Sequence, residues 1–261
     1  KNIRKVHGDY PMLRKLCSLV LRRFLLEMLL CALGVGAVAM LRWQGHLLRA
    51  DESNPEEWDV FGVDVSTYQG KVDWTALSNQ GVSFAFIKAT EGSSLQDVRF
   101  AENWEGALAA GVRPGAYHFF SYDSPGEQQA ENFIRTVPVT EGALPPVVDI
   151  EFYGQYLEEP ADRETARAIL DPLLAALEEL YGVKPILYAT YRSYQLYLSG
   201  GKYDDYPLWM SSPGISPLLW DWDFWQYSHS GHLDGYDGHQ QWIDFNVFRG
   251  SRSDFEAFGL R

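Results

Sequence analysis

Cysteine is nearly absent from this 261-residue chain, and its two copies, Cys17 and Cys31, both fall in the first fifty residues. Residues 51–261 therefore hold no disulfide and no thiolate metal site. Stability there must come from a packed core, for which a hydrophobic content of 46% is ample. Histidine is scarce as well. Of the six, His229, His232 and His239 sit in Gly- and Asp-rich stretches without the spacing of a zinc motif such as HExxH, so no metal and no cofactor are expected. A Walker loop, a dinucleotide fingerprint and a Gly-x-Ser-x-Gly elbow are all missing, which argues against nucleotide chemistry and against a serine hydrolase. No internal repeat of solenoid or propeller period is present.

Positive charge is also in short supply after residue 50. Residues 1–50 carry nine Lys/Arg against two Asp/Glu, whereas residues 51–261 carry thirteen against thirty-three, a net charge of −20. A body this acidic lacks the basic footprint that nucleic acid requires, and no nucleic-acid partner is expected. The basic residues of the first part have a pattern of their own. Seven of them, from Lys1 to Arg23, precede an apolar run of 18 residues, Phe24 to Leu41, broken only by Glu27. That asymmetry predicts a cytoplasmic N-terminus and an external body. Two readings of the run stay open. It is long enough for a transmembrane signal anchor, or it is a signal peptide cut near Ala37-Val38-Ala39, which would leave a secreted protein; the long basic lead-in favours the anchor. The expected organisation is a basic cytoplasmic segment (1–23), a transmembrane helix or signal peptide (24–41), an acidic linker (42–59) and one folded body (60–261). That order places the chain in the cell membrane, single-pass with its body outside, and a monomer is expected.

From residue 60 onward, strand-like and helix-like segments alternate. Strands are predicted at Val60–Val65, Phe84–Ala89, Gly115–Phe120, Val147–Glu151, Ile186–Thr190, Leu208–Met210, Phe224–Tyr227 and Trp242–Phe245. Helices are predicted at Trp74–Gln80, Phe100–Ala110, Gly126–Thr136, Arg163–Tyr181 and Arg192–Leu198. Repeated β-then-α order implies a parallel sheet with helices outside, and eight strands over some 200 residues fit an irregular TIM-like β/α barrel of the α/β class with fewer helices than strands. In such barrels functional groups gather at the C-terminal strand ends. Asp64, Asp149, Glu151 and Asp244 all fall at or near predicted strand ends.

Asp149 and Glu151 are the most telling of these. Two residues apart on a strand, they point to one face with Cα atoms roughly 6.6 Å apart. Two acids so placed can divide into a proton donor and an ionised partner, the chemistry that cuts a glycosidic bond. Solvated strand-end acids would share the same local pattern, and the spacing does not choose between a retaining and an inverting outcome. A surplus of Trp and Tyr suits a groove that stacks on sugar rings, though it also fills cores.

Longer stretches carry a resemblance. Phe61-Gly-Val-Asp64-Val-Ser66-Thr-Tyr68-Gln69-Gly70 with Val72-Asp-Trp74, then Phe84-Ala-Phe-Ile-Lys88-Ala-Thr90-Glu91-Gly92, Gly115-Ala-Tyr117-His118-Phe119, Val147-Val-Asp149-Ile-Glu151, Trp225-Gln226-Tyr227-Ser228 and Asp244-Phe-Asn246-Val-Phe248 occur in the order seen in the glycoside hydrolase family 25 lysozymes. The chain resembles these N-acetylmuramidases over about residues 60–261. The resemblance implies cleavage of the β-1,4 bond between N-acetylmuramic acid and N-acetylglucosamine in peptidoglycan glycan strands. It implies Glu151 as general acid, Asp149 as partner carboxylate, and Asp64 and Asp244 lining the site of the cleaved sugar. Tyr117, Tyr188, Trp209, Glu91, Gln226 and Asn246 are candidate substrate-binding residues. His118 alternates with Tyr117, so one of the two is expected to be structural. The chain departs from the family pattern at 211–223, which looks short, and at 235–242, where Gly-Tyr-Asp-Gly-His-Gln-Gln-Trp replaces a more glycine-rich approach to the last aspartate. Other readings are a glycosidase acting on another N-acetylated glycan such as chitin, and a non-catalytic glycan-binding barrel. The first would carry a longer acidic series on the strand; the second would have lost one of the acids.

Overall fold

The computed structural model describes residues 58–217 and 220–260, all of them in the unit Ala50–Arg261. The predicted transmembrane segment 24–41 and all but the last two residues of the linker lie outside the described residues. No helix among the described residues is long and apolar enough to cross a membrane.

The described residues form nine strands: β1 Phe61–Val65, β2 Val82–Glu91, β3 Leu95–Gln96, β4 Arg113–Phe119, β5 Val147–Ile150, β6 Ile186–Thr190, β7 Leu208–Ser211, β8 Phe224–Gly231 and β9 Ile243–Phe248. The sheet order is β1-β9-β8-β7-β6-β5-β4-β2-β3, and β1 also pairs with β2. That pairing closes eight strands into a barrel, with β3 as a short hairpin strand on the edge of β2.

The direction of one strand corrects the sequence expectation. Every barrel pairing from β1 through β2, β4, β5, β6 and β7 to β8 is parallel, but β9 runs antiparallel to both β8 and β1. A parallel return would need a crossover of a dozen or more residues, usually helical. The link 232–242 is shorter and contains no helix, so the chain simply folds back. Asp244 therefore stands near the start of its strand and not at its end. It reaches the same barrel mouth as the other acids because its strand is reversed.

Side-chain alternation divides the apolar residues in two. Phe84, Phe86, Val147, Ile186, Tyr188, Trp209, Phe224 and Phe248 pack together inside the barrel. Ala85, Ile87, Val148, Ile150, Leu187 and Ala189, one residue out of phase, face the helices. Inside the barrel, Phe86 and Trp209 stack with ring centroids 4.1 Å apart, forming a floor beneath the mouth. Gly62 is required beside that floor, because a Cβ there would sit 2.5 Å from the Phe84 ring.

Four helices cover the first half of the barrel: α1 Trp74–Asn79, α2 Phe100–Ala109, α3 Gly126–Thr136 and α4 Arg163–Tyr181. The last is capped by Asp162, whose side chain accepts from the Thr165 N–H, and stops at Gly182 in the left-handed conformation. Its buried stripe, Ala166, Leu170, Leu173, Leu174, Leu177 and Tyr181, has helical spacing. Helices α3 and α4 meet at Gly126, where a Cβ would lie 2.0 Å from the Ile169 carbonyl oxygen. After β6 only a helical turn, Tyr191–Ser193, and a π turn, Tyr194–Leu198, precede β7. The helix Arg252–Ala257 (α5) was not predicted; its Phe255, with Phe258 beyond it, seals the bottom of the barrel against Phe84, Phe224 and Phe248.

His118 is the structural member of its pair. Wholly buried on the helix-facing side, its ring nitrogens lie 2.7 Å from Thr90 Oγ1 and 2.9 Å from Gln129 Oε1. Burial pushes the imidazole down to about 4 from 6.5. A histidine whose folded value is depressed contributes stability above its unfolded pKa that is lost as pH falls toward the folded value. The unfolding free-energy difference between the wild-type chain and His118→Gln should therefore shrink by roughly 3 kcal/mol between pH 7 and pH 4. Denaturant titrations at the two pH values check this; a constant difference would show that the ring is not held neutral.

Candidate active site

The register around the barrel assembles the site. It sets Asp149 beside Tyr188, Tyr188 beside Trp209, Ser211 beside Gln226, Gln226 beside Asn246 and Asp64 beside Asp244. These neighbours surround a pocket in the barrel mouth, lined by Asp64, Asp149, Glu151, Asp244, Tyr117, Tyr188, Trp209 and Gln226. All four predicted acids and four of the six candidate binding residues thus meet in one place. The other two lie elsewhere. Asn246 is fully buried beside the pocket, its Nδ2 donating to Asp64 Oδ2 at 2.7 Å. Glu91 pairs with Lys88 at 2.7 Å and does not line the pocket.

Hydrogen bonds distinguish the acids. Asp64 Oδ2 accepts from Asn246 and, at 2.8 Å, from Gln226 Nε2. Asp244 Oδ2 shares that Gln226 amide at 3.2 Å. Both amides are themselves held: Trp209 Nε1–H donates to Asn246 Oδ1 at 2.8 Å, and the Tyr188 hydroxyl donates to Gln226 Oε1 at 2.9 Å. Asp149 is treated differently. It is 6% exposed, and its Oδ1 finds no hydrogen-bond partner among the described residues. Glu151 lies just past the end of β5 and is only partly buried. Its backbone is anchored by the Tyr122 hydroxyl, which donates to the Glu151 carbonyl at 3.1 Å.

Crowding four carboxyls into one pocket raises all of them. Burial, then the Asp244 charge, pushes Asp64 up to about 7 against the opposing hydrogen bonds from Asn246 and Gln226. Burial, then Glu151, lifts Asp244 to about 6. Burial and then Glu151 hold Asp149 well above the usual carboxylate range, with Lys88 opposing. Glu151 is raised by burial and then by Asp64, again opposed by Lys88. Near neutral pH the pocket therefore retains protons and titrates as a set. It can both donate a proton and stabilise a developing positive charge.

Five further lining residues were not singled out from the sequence as site residues: Val65, Ser66, Tyr68, Gln69 and Gln240. The first four directly follow Asp64, and a strand-end loop beside an acid was a usable signal. The turn they form is rigid. Ser66 Oγ accepts from the Tyr68 N–H, Gln69 Oε1 accepts from the Ser66 N–H, and Asp97 Oδ2 accepts from the Thr67 N–H. Tyr68 is left 65% exposed at the rim. Gln240 comes from the segment that departs from the family pattern, and its Oε1 accepts from Gln69 Nε2 at 3.1 Å. Among the described residues no group of three or more His, Cys, Asp or Glu side chains is arranged to hold a metal ion.

A closed β/α barrel with paired acids at its mouth is an arrangement suited to a glycoside hydrolase. Comparison with known proteins narrows the class: the family model for glycosyl hydrolases family 25 matches residues 63–236, and the chain belongs to that family. A solved family 25 glycosyl hydrolase from Bacillus anthracis is 44% identical, superimposes with a TM-score of 0.74, and is matched over 99% of its length by 82% of this chain. The Escherichia coli K12 protein YegX is 34% identical over 78% of this chain and 75% of its own. Lysozyme M1 of Streptomyces globisporus is 31% identical over 74% of this chain and 68% of its own.

Proposed function

We propose that this enzyme is a peptidoglycan muramidase that hydrolyses the β-1,4 bond between N-acetylmuramic acid and N-acetylglucosamine. Family membership and the likeness to a lysozyme support the substrate. The observation that carries the chemistry is the convergence of Asp64, Asp149, Glu151 and Asp244 on one pocket.

Glu151, the more accessible of the β5 pair, protonates the departing glycosidic oxygen. Asp149 is too deep for that task but offers an oxygen with no hydrogen-bond partner among the described residues. That oxygen suits the N–H of the sugar's acetamido group. A hydrogen bond there favours the ionised form of Asp149, offsets its burial, and leaves the shared proton on Glu151, where it is needed. The acetamido oxygen, oriented by the same contact, attacks the anomeric carbon as the protonated leaving group departs; water, giving its proton to Glu151, then displaces the acetamido oxygen and restores the acid. Asp64 and Asp244 stabilise the oxocarbenium-like transition state from the opposite wall. Tyr117, Tyr188 and Trp209 shape the floor beneath the sugar. The apolar run 24–41 tethers the enzyme to the outer face of the cell membrane in this reading.

Digestion of purified peptidoglycan, borohydride reduction and mass analysis test the proposal. New reducing ends at muramic acid are expected. New ends at glucosamine would replace it with a glucosaminidase, and no release from peptidoglycan would overturn it.

A further inference from the structure

The acids of the pocket are connected to a side chain outside it. Gln226 is the junction. Its Nε2 donates to Asp64 Oδ2 at 2.8 Å and to Asp244 Oδ2 at 3.2 Å. Its Oε1 meets Tyr188 OH at 2.9 Å, Ser211 Oγ at 2.8 Å and His229 Nε2 at 2.8 Å. The two acids set the orientation of this amide. A flipped side chain would set its oxygen against two carboxylate oxygens and lose both bonds to the acids. The oxygen has two lone pairs, so three donors compete for it. Ser211 Oγ also lies 3.3 Å from His229 Nε2, which makes hydroxyl and imidazole alternatives at the same acceptor. Of the three, Tyr188 and Ser211 are buried and His229 alone is exposed. Trp225-Gln226-Tyr227-Ser228, the stretch that resembles the family, ends one residue before it.

We propose that His229 is a positioning residue for the hydrolytic reaction: its Nε2–H holds the Gln226 carbonyl and so keeps the amide donors on Asp64 and Asp244. Donation into the carbonyl polarises the amide and strengthens its two N–H bonds to the acids. The titratable groups meeting this junction are Asp64 from β1, Asp244 from β9 and Tyr188 from β6; β7 supplies only Ser211. A solvent-facing imidazole thereby influences two buried carboxylates without touching substrate.

The kinetic part of the test rests on the muramidase reading, and the spectroscopic part does not. In the full chain, His229→Ala should lower kcat by about tenfold, the size of one lost hydrogen bond, with KM within twofold and an altered pH profile. His229→Gln, which restores an N–H donor but not the imidazole, should recover most of kcat but not the wild-type profile. Wild-type kinetics in His229→Ala would overturn the proposal, as would a His229→Gln variant as slow as the alanine. Without substrate, the Gln226 side-chain NH2 resonances should move in His229→Ala and return toward their wild-type positions in His229→Gln. Resonances indifferent to both would sink the coupling, whereas a wild-type chain inert on peptidoglycan would sink the muramidase reading alone.

Discussion

Glu151→Gln should lower turnover of peptidoglycan by about 10³-fold, within the range that a positioned general acid contributes, with little change in KM. Glutamine keeps the shape and the hydrogen-bonding edge of the side chain but has no acidic proton to give. The structure adds an expectation about stability. Glu151 is raised by burial and by the Asp64 charge, and its own charge in turn raises Asp149 and Asp244. A carboxyl whose folded pKa lies above its unfolded value costs stability at neutral pH, and the cost is relieved as pH falls. Replacing it with an amide removes that cost, so the melting temperature at pH 7 should stay level or rise. Initial rates on purified sacculi and a thermal melt check both parts. Near-wild-type rates would mean that another carboxyl is the proton donor. A large fall in melting temperature would mean that the lost activity reports unfolding.

Asp149→Asn should lower kcat by about 10²-fold, the loss seen when one preorganised electrostatic partner is removed, and at the same time stabilise the fold. The two effects share a cause. Asp149 is buried with Oδ1 unpartnered among the described residues, beside Glu151 and near Asp64. That is a poor environment for a carboxylate until an N–H donor docks. Asparagine carries no charge to desolvate, and the gain at pH 7 should be on the order of 1 kcal/mol, comparable to relieving one unmade buried hydrogen bond. The sign fixes its pH dependence. The wild-type penalty is present above the raised folded value and gone below the unfolded value near 3.9. The variant's advantage should therefore be largest at neutral pH and vanish by about pH 4. Unfolding curves at both pH values decide; a destabilised variant at pH 7 would show that the carboxylate is better accommodated than its surroundings imply.

Much of the barrel was legible because its elements are local. Helix α3, strand β6 and helix α4 fall on their predicted residues, and α4 stops at Gly182. The hairpin strand β3 and the plug helix α5 were missed, the first because two exposed residues carry no period, the second because six residues are too few for one to show. The reversal of β9 was missed for another reason. Strand direction is not written in a strand; it depends on what its link can span. Asp244 was therefore placed at the right mouth by the wrong argument.

The sequence by itself determined which residues could do acid chemistry and that alternating strands and helices would bring Asp64, Asp149 and Glu151 to one end of a barrel, because side-chain period and strand order are properties of neighbours along the chain; Asp244 joins them only because β9 is reversed. It could not determine their electrostatic individuality. Asp64 is bound by two amides, Asp149 has an oxygen without a partner among the described residues, and Gln226 spans two acids and a surface histidine. Those differences depend on register between strands distant in sequence and on the loss of water at each carboxyl, and both come into being only when the barrel closes.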